Sequence, residues 1–302
     1  MSSVSEGRIP DSAVRSITRG PLRTTLRADD GVGIEAVYDP CTADDAAGGE
    51  AGGPGPAIVV AHGFTGSADR PAVRRAVRTF ARYAAVVSFS FRGHGRSGGL
   101  STVGDREVLD LAAAVAWARS LGHRRVVTVG FSMGGSVVLR HGALYADEAA
   151  DGEGARPVAE QDAEHGGRTG ARTGAHADAV VSVSAPARWY YRGTAPMRRL
   201  HWMVTRPTGR LVGRYGFRTR IHHDEWNPVP LSPVAAAALI APAPLLIVHG
   251  DRDPYFPLDH PRMLAAAAGD AADLWLERGM GHAENAADET LLTRIADWAV
   301  PR

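Results

Sequence analysis

The chain has 302 residues, 44% of them hydrophobic, with 34 basic residues against 33 acidic ones and a formal net charge of +1. That length and apolar content suit one domain with elaborations, and the near-zero charge gives no footprint for nucleic acid. A single cysteine, Cys41, excludes an intramolecular disulfide and a thiol motif. No apolar run reaches membrane-spanning length. The start, with Glu6, Arg8, Pro10 and Asp11, lacks the basic-then-apolar pattern of a secretion signal, so the cytoplasm is the expected compartment.

In chain order, residues 1–20 read as a tail and 21–302 as the domain. Leu22 to Ala28 and Val32 to Tyr38, separated by Asp29-Asp30-Gly31, read as an antiparallel entry hairpin, and a Gly/Ala-rich linker runs from Cys41 to Gly55. An alternation of strands and helices follows. Strands are expected at 57–61, 85–91, 126–131, 179–184, 244–248 and 274–277, and helices near 71–83, 107–121, 136–145 and 290–300. This pattern predicts an α/β fold with a mostly parallel, doubly wound sheet and helices on both faces. Two segments interrupt it. Residues 147–178 hold eight acids against three arginines without hydrophobic periodicity, and read as a mobile surface insertion. From Ala187 to His223 there are nine arginines and no acid, interleaved with Trp189, Tyr190, Tyr191, Trp202, Tyr215 and Phe217.

Three strand ends carry chemistry. The run 126–129 leads into Gly130-Phe131-Ser132-Met133-Gly134, a G-x-S-x-G pentapeptide opening a helix. A serine at so sharp a turn needs small residues on either side, which gives Gly130 and Gly134 a steric reason to be there. Ser132 is thereby nominated as a nucleophile, with the Met133 N–H aimed at the same space as an oxyanion donor. A nucleophilic serine needs a base held by a carboxylate. The run 244–248 ends in a turn carrying Asp251 and Asp253, the latter favoured as the acid. The run 274–277 ends in the Gly-rich turn holding His282. Open parallel sheets bind ligands at the carboxyl ends of their strands, where these side chains are expected.

These residues give the chain a resemblance to the α/β-hydrolase family, which shares the order Ser, Asp, His. The resemblance covers most of 55–302. Ala61-His62-Gly63-Phe64-Thr65-Gly66 is similar to the family's H-G oxyanion loop, and Phe91-Arg92-Gly93-His94-Gly95-Arg96-Ser97 to its R-G-x-G-x-S turn. Gly250 to Pro257 matches its acid turn, and Gly281-His282 its histidine turn. The resemblance implies Asp253 as the acid, the Phe64 N–H as the second oxyanion donor, and a lid at 187–236, inserted before the strand that leads to the acid turn. Many relatives carry Asp two residues before the Arg of the R-G turn, whereas this chain has Ser90.

The expected activity is carboxylic-ester hydrolysis through an acyl-enzyme. A serine peptidase, a thioesterase and a slow-turnover ligand-binding homologue are the alternatives. The expected partner is a small acyl substrate met by Trp189, Tyr190 and Trp202. The arginines read as a solvated face, as partners of the acidic insertion, or as a site for an anionic group on that substrate or a peripheral anionic membrane surface. No cofactor and no metal are expected. Adjacent residues of His222-His223-Asp224-Glu225 face different directions in regular structure, and no spaced ligand is evident. His62 and His94 read as loop-fixing residues. Glu107 and Asp110 read equally as helix-capping groups and as contacts for a substrate amine.

Overall fold

The computed structural model describes residues 20–43, 54–146 and 174–300. The expected tail up to residue 19, most of the Gly/Ala linker, and 147–173 of the acidic insertion lie outside them. The elements are β1 (Leu22–Arg27), β2 (Gly33–Asp39), β3 (Ala57–Ala61), α1 (Pro71–Phe80), β4 (Ala85–Phe89), α2 (Glu107–Ser120), β5 (Val126–Phe131) and α3 (Met133–Leu144). Then follow β6 (Ala179–Val183), α4 (Ala195–Thr205), α5 (Pro207–Gly216), α6 (Pro233–Ala237), β7 (Leu245–Gly250), α7 (Asp259–Ala268), β8 (Ala272–Glu277), α8 (Ala283–Ala286) and α9 (Glu289–Ala299).

All eight strands form one sheet in the order β1-β2-β4-β3-β5-β6-β7-β8. The entry hairpin joins it antiparallel through β2 and β4, and every later pairing is parallel. Strands β3 to β7 are buried throughout, as parallel strands covered on both faces must be. Alternate residues divide between two cores. Ala57, Val59 and Ala61 face α2, α3, α6 and α7 on one side. Ile58 and Val60 face α1, α8 and α9 on the other.

The chain runs from β3 outward to β4, then returns across β3 to β5, so strand order reverses between β3 and β5. Their register sets Ala61 beside Gly130, placing the loops after both strands at the crevice where such sheets bind ligands. Helix α3 starts there at Met133, three residues earlier than the hydrophobic pattern suggests, because Met133, Gly134 and Gly135 form its first turn.

The turn after β4 is tied down by a buried charge. The Arg92 guanidinium donates to Asp110 on α2 through Nη2 at 2.7 Å and Nε at 3.0 Å, and to Asp30 in the hairpin turn at 2.6 Å. Ser90 holds the turn where relatives have Asp: its hydroxyl donates to Glu35 and accepts the Ala68 N–H, both at 3.1 Å. Removing one partner of a buried pair strands the other charge. Asp110→Ala is therefore expected to lower the unfolding free energy by about 3 kcal/mol. Asp69→Ala, which breaks the exposed pairs with Arg23 and Arg96, is expected to cost less than about 1 kcal/mol. Urea titration of the two variants at pH 7 makes the comparison, and equal losses would contradict the assignment of Arg92 as a buried tether.

Candidate active site

Between β5 and α3 stands Ser132 alone, at φ 53° and ψ −113°. A side-chain-bearing residue with positive φ costs on the order of 1–3 kcal/mol and persists only when its surroundings fix it. Here the Ser132 N–H donates to the Val183 carbonyl of β6 at 2.8 Å. The flanking glycines admit the backbones around it. A Cβ on Gly130 would collide with the Gly134 carbonyl, and one on Gly134 with the Ala61 carbonyl.

His282 follows β8 and precedes α8. Its Nε2 lies 2.9 Å from Ser132 Oγ, and its Nδ1 lies 2.7 Å from Asp253 Oδ2. The Asp253 carboxylate is fully buried in the turn after β7, where Oδ1 accepts the Tyr255 and Phe256 N–H groups at 2.8 and 3.2 Å. Oδ2 is thus left to accept the Nδ1–H of His282, and Nε2 turns its lone pair to the serine hydroxyl. The Tyr255 ring stacks on the imidazole with 4.2 Å between centroids. Asp251 is exposed and accepts the Gly279 N–H at 2.6 Å. Beneath the acid, the His249 Nε2–H donates to the Phe256 carbonyl at 2.9 Å and lies 3.6 Å from Asp253. Burial holds that imidazole below its ordinary value.

The loop after β3 turns at Phe64-Thr65, closed by the Gly66 N–H donating to the Gly63 carbonyl at 2.9 Å. Thr65 has φ 66°. Among the described residues no acceptor meets the N–H of Phe64 or of Met133. His62 and His94 brace this loop: each Nδ1–H donates to a carbonyl, of Gly63 at 2.7 Å and of Arg92 at 2.9 Å. Each Nε2 accepts an N–H, from Phe91 at 3.0 Å and from Thr65 at 3.3 Å. A further brace comes from Glu284, which the sequence reading passed over. Its buried Oε1 accepts the Gly63 N–H at 3.1 Å, joining the histidine turn to the loop after β3. Arg75 pins the same short helix through the carbonyls of Glu284 and Ala287. An acid two residues after the histidine was the available signal.

The other nominated residues are more dispersed. Trp189 is half-buried against Trp226 at 5.1 Å, and its indole N–H donates to the Pro230 carbonyl. Tyr190 is exposed, with φ 57° and its ring 5.4 Å from Trp226. Trp202 is exposed on α4 with no aromatic partner among the described residues. The stretch ahead of α4 reaches the acid turn, through Thr194 donating to the Tyr255 carbonyl at 2.9 Å and the Tyr191 ring 6.2 Å from Phe256. Glu107 is spent on its own loop, accepting from Ser101, Thr102 and Gly104, and Asp110 is spent on Arg92. The stretch 222–224 lies outside helix and strand, so the reason given against ligand convergence does not hold there. Potential ligand atoms of His222, His223 and Asp224 come within 4.8 Å of one another. The two imidazoles stack nearly parallel, 5.1 Å apart at 15°, so their in-plane lone pairs do not converge on one point.

A sequence model of the alpha/beta hydrolase family matches residues 36–291. The chain belongs to that family. It is 28% identical over 289 residues to a monoacylglycerol lipase of Mycolicibacterium smegmatis, covering 89% of this chain and 94% of that protein. Among solved structures this α/β hydrolase is similar in fold to the Pyrococcus furiosus esterase Pf2001, with TM-score 0.62, 18% identity and coverage of 96% and 95%. A serine hydrolase without lid from Xanthomonas campestris matches with TM-score 0.56, 18% identity and coverage of 95% and 98%. Est1E from Butyrivibrio proteoclasticus, solved with ferulic acid bound, matches with TM-score 0.54, 17% identity and coverage of 91% and 96%.

The braces of this α/β hydrolase also set its response to acid. Burial, with His94 nearby, pushes the His62 imidazole down to about 3, whereas an unfolded chain leaves it near 6.5. Protonation therefore favours unfolding. Stability is full above about pH 6.5 and falls as pH drops toward 3, by on the order of 2 kcal/mol at pH 5 from this group. Urea midpoints measured from pH 7 to pH 4 are expected to fall, and His62→Asn is expected to make the fall shallower even though its starting stability is lower. An unchanged slope would show that His62 is not held neutral.

Proposed function

We propose that Ser132, His282 and Asp253 are a catalytic triad and that the protein is a serine hydrolase of carboxylic esters. The observation that carries this reading is the continuous pair of hydrogen bonds, 2.9 and 2.7 Å, running from a strained serine through an imidazole to a buried carboxylate. In the first half-reaction His282 Nε2 takes the Ser132 proton as Oγ attacks the ester carbonyl, and Asp253 stabilises the imidazolium. The oxyanion is held by the N–H groups of Phe64 and Met133, each worth on the order of 3 kcal/mol of transition-state stabilisation. The intermediate collapses as His282 returns the proton to the departing alkoxide, giving an alcohol and an acyl-serine. Water, deprotonated by His282, then releases the carboxylic acid and restores the serine.

The choice of esters is supported by the lipase and esterase names of its relatives. In this reading the segment 187–236 is a lid that borders the acyl site, with Trp189, Tyr190 and Trp202 as its apolar contacts. Glu284 is a positioning residue that keeps the Gly63 peptide aligned, and so aims the Phe64 N–H.

Hydrolysis of p-nitrophenyl esters by variants tests this. Ser132→Ala and His282→Ala are expected to lower kcat by about four to six orders of magnitude, and Asp253→Ala by about 10⁴. Asp251→Ala is expected to change kcat by no more than about twofold. A larger loss for Asp251→Ala than for Asp253→Ala would overturn the assignment of the acid. For Glu284, the alanine variant is expected to lose kcat by about tenfold with KM unchanged, and Glu284→Gln, which keeps an acceptor, to recover most of it. A loss expressed in KM alone would remove Glu284 from the oxyanion loop's support.

A further inference from the structure

Helix α5 carries Arg210 and Arg214 one turn apart, and like charges at that spacing disfavour a helix. Nothing in its sequence offsets them, because the whole stretch from 187 to 223 has no Asp or Glu. Among the described residues, only Arg188 of this stretch's nine arginines makes an ion pair with a carboxylate, Asp259 at 2.7 Å. The chain then returns Arg220 to the same place, on a segment bridged to Ser101 through Ile221. The three arginines line one open cleft of about 310 Å³, together with Leu100, Pro207, Leu211 and Ile221. None of these residues belongs to the triad or to the loop after β3.

Each guanidinium has donors to spare. Arg210 uses Nη1 on the carbonyls of Val204 and Thr205, at 3.2 and 3.1 Å. Arg220 uses Nη2 on the Ser97 carbonyl. Arg214 is exposed and lies 5.8 Å over the Tyr215 ring, with no hydrogen-bond acceptor among the described residues. A guanidinium offers five N–H groups in a planar fork that fits carboxylate and phosphate oxygens. The remaining walls are aliphatic: Leu100 and Leu211 are 38% and 55% exposed, far more than a leucine in a finished core. The volume lies at the lower end of small-ligand pockets, about 300–1,000 Å³.

We propose that this cleft binds a free aliphatic amphiphile with a carboxylate or phosphate head. The head sits among Arg210, Arg214 and Arg220, and the chain lies along Leu100, Leu211 and Ile221. The binding requires no turnover, so it stands or falls independently of Ser132.

Calorimetric titration of the full chain with decanoate and with decanol, both below the onset of aggregation, tests it. Saturable decanoate binding at least about tenfold tighter than that of decanol is expected, weakened by added salt. Arg214→Gln, which removes no hydrogen bond or ion pair among the described residues and only the contact with the Tyr215 ring, is expected to weaken decanoate about tenfold and leave decanol unchanged. Arg218→Gln, equally exposed in the same segment but outside the cleft, is expected to leave both unchanged. Equal affinities for acid and alcohol, no effect of Arg214→Gln, or an equal effect of Arg218→Gln would overturn the proposal. Binding to phosphatidylglycerol vesicles without saturable binding of free decanoate would also overturn it, and would assign the arginines to a membrane surface.

Discussion

Helix α3 meets the carboxyl ends of β3 and β5 backbone to backbone, and that approach governs everything around Ser132. Only glycine at 130 and 134 permits it, because a side chain at either position would overlap a carbonyl oxygen. The closeness forces Ser132 into a left-handed turn and stands its hydroxyl clear of the sheet. It also makes Met133 the first residue of α3, its N–H meeting no acceptor among the described residues. The parallel register that sets Ala61 beside Gly130 then brings Phe64 to the same crevice. One steric condition thus sets the Ser132 backbone, and the strand register sets the loop after β3 beside it.

The strain at Ser132 is borne by a polar scaffold of buried side chains that themselves do no chemistry in the proposed reaction. His62 and His94 brace the loop after β3, Glu284 ties it to the histidine turn, and His249 props the acid turn through Phe256. Arg92 links the turn after β4 to α2 and the entry hairpin. Burying so many polar groups is tolerable because nearly all of their polar atoms are paired, the Nδ1 of His249 being the one left without a partner among the described residues of this scaffold. The network ties four separate strand-end loops together, which is what the proposed oxyanion site needs.

Much of this was legible in the sequence where one local force dominates. Strands β3, β5 and β7 are short apolar runs between turn signals, and they lie where the pattern sets them because burial on both faces leaves no competing choice. The G-x-S-x-G turn is a steric feature that a linear pattern preserves, and the family resemblance singles out Asp253, the carboxylate that lies 2.7 Å from His282. Helices α4 and α5 were not read as helices. Their arginines and glycines mask the apolar spacing, and few of their residues are buried: Met197 in α4, and Gly209 and Gly213 in α5. Glu284 was missed because its partner, the Gly63 N–H, lies 221 residues away, and a backbone donor leaves no mark in a sequence. Likewise the grouping of His222, His223 and Asp224 depends on an irregular turn that periodicity does not describe.

The central claim is that Ser132 is an activated nucleophile. Labelling of the purified protein with a fluorophosphonate probe, followed by peptide mass spectrometry, tests it most directly. Modification of Ser132 alone, abolished in Ser132→Ala, is the expected result. A folded protein that stays unlabelled, or carries the label on another residue, would contradict it.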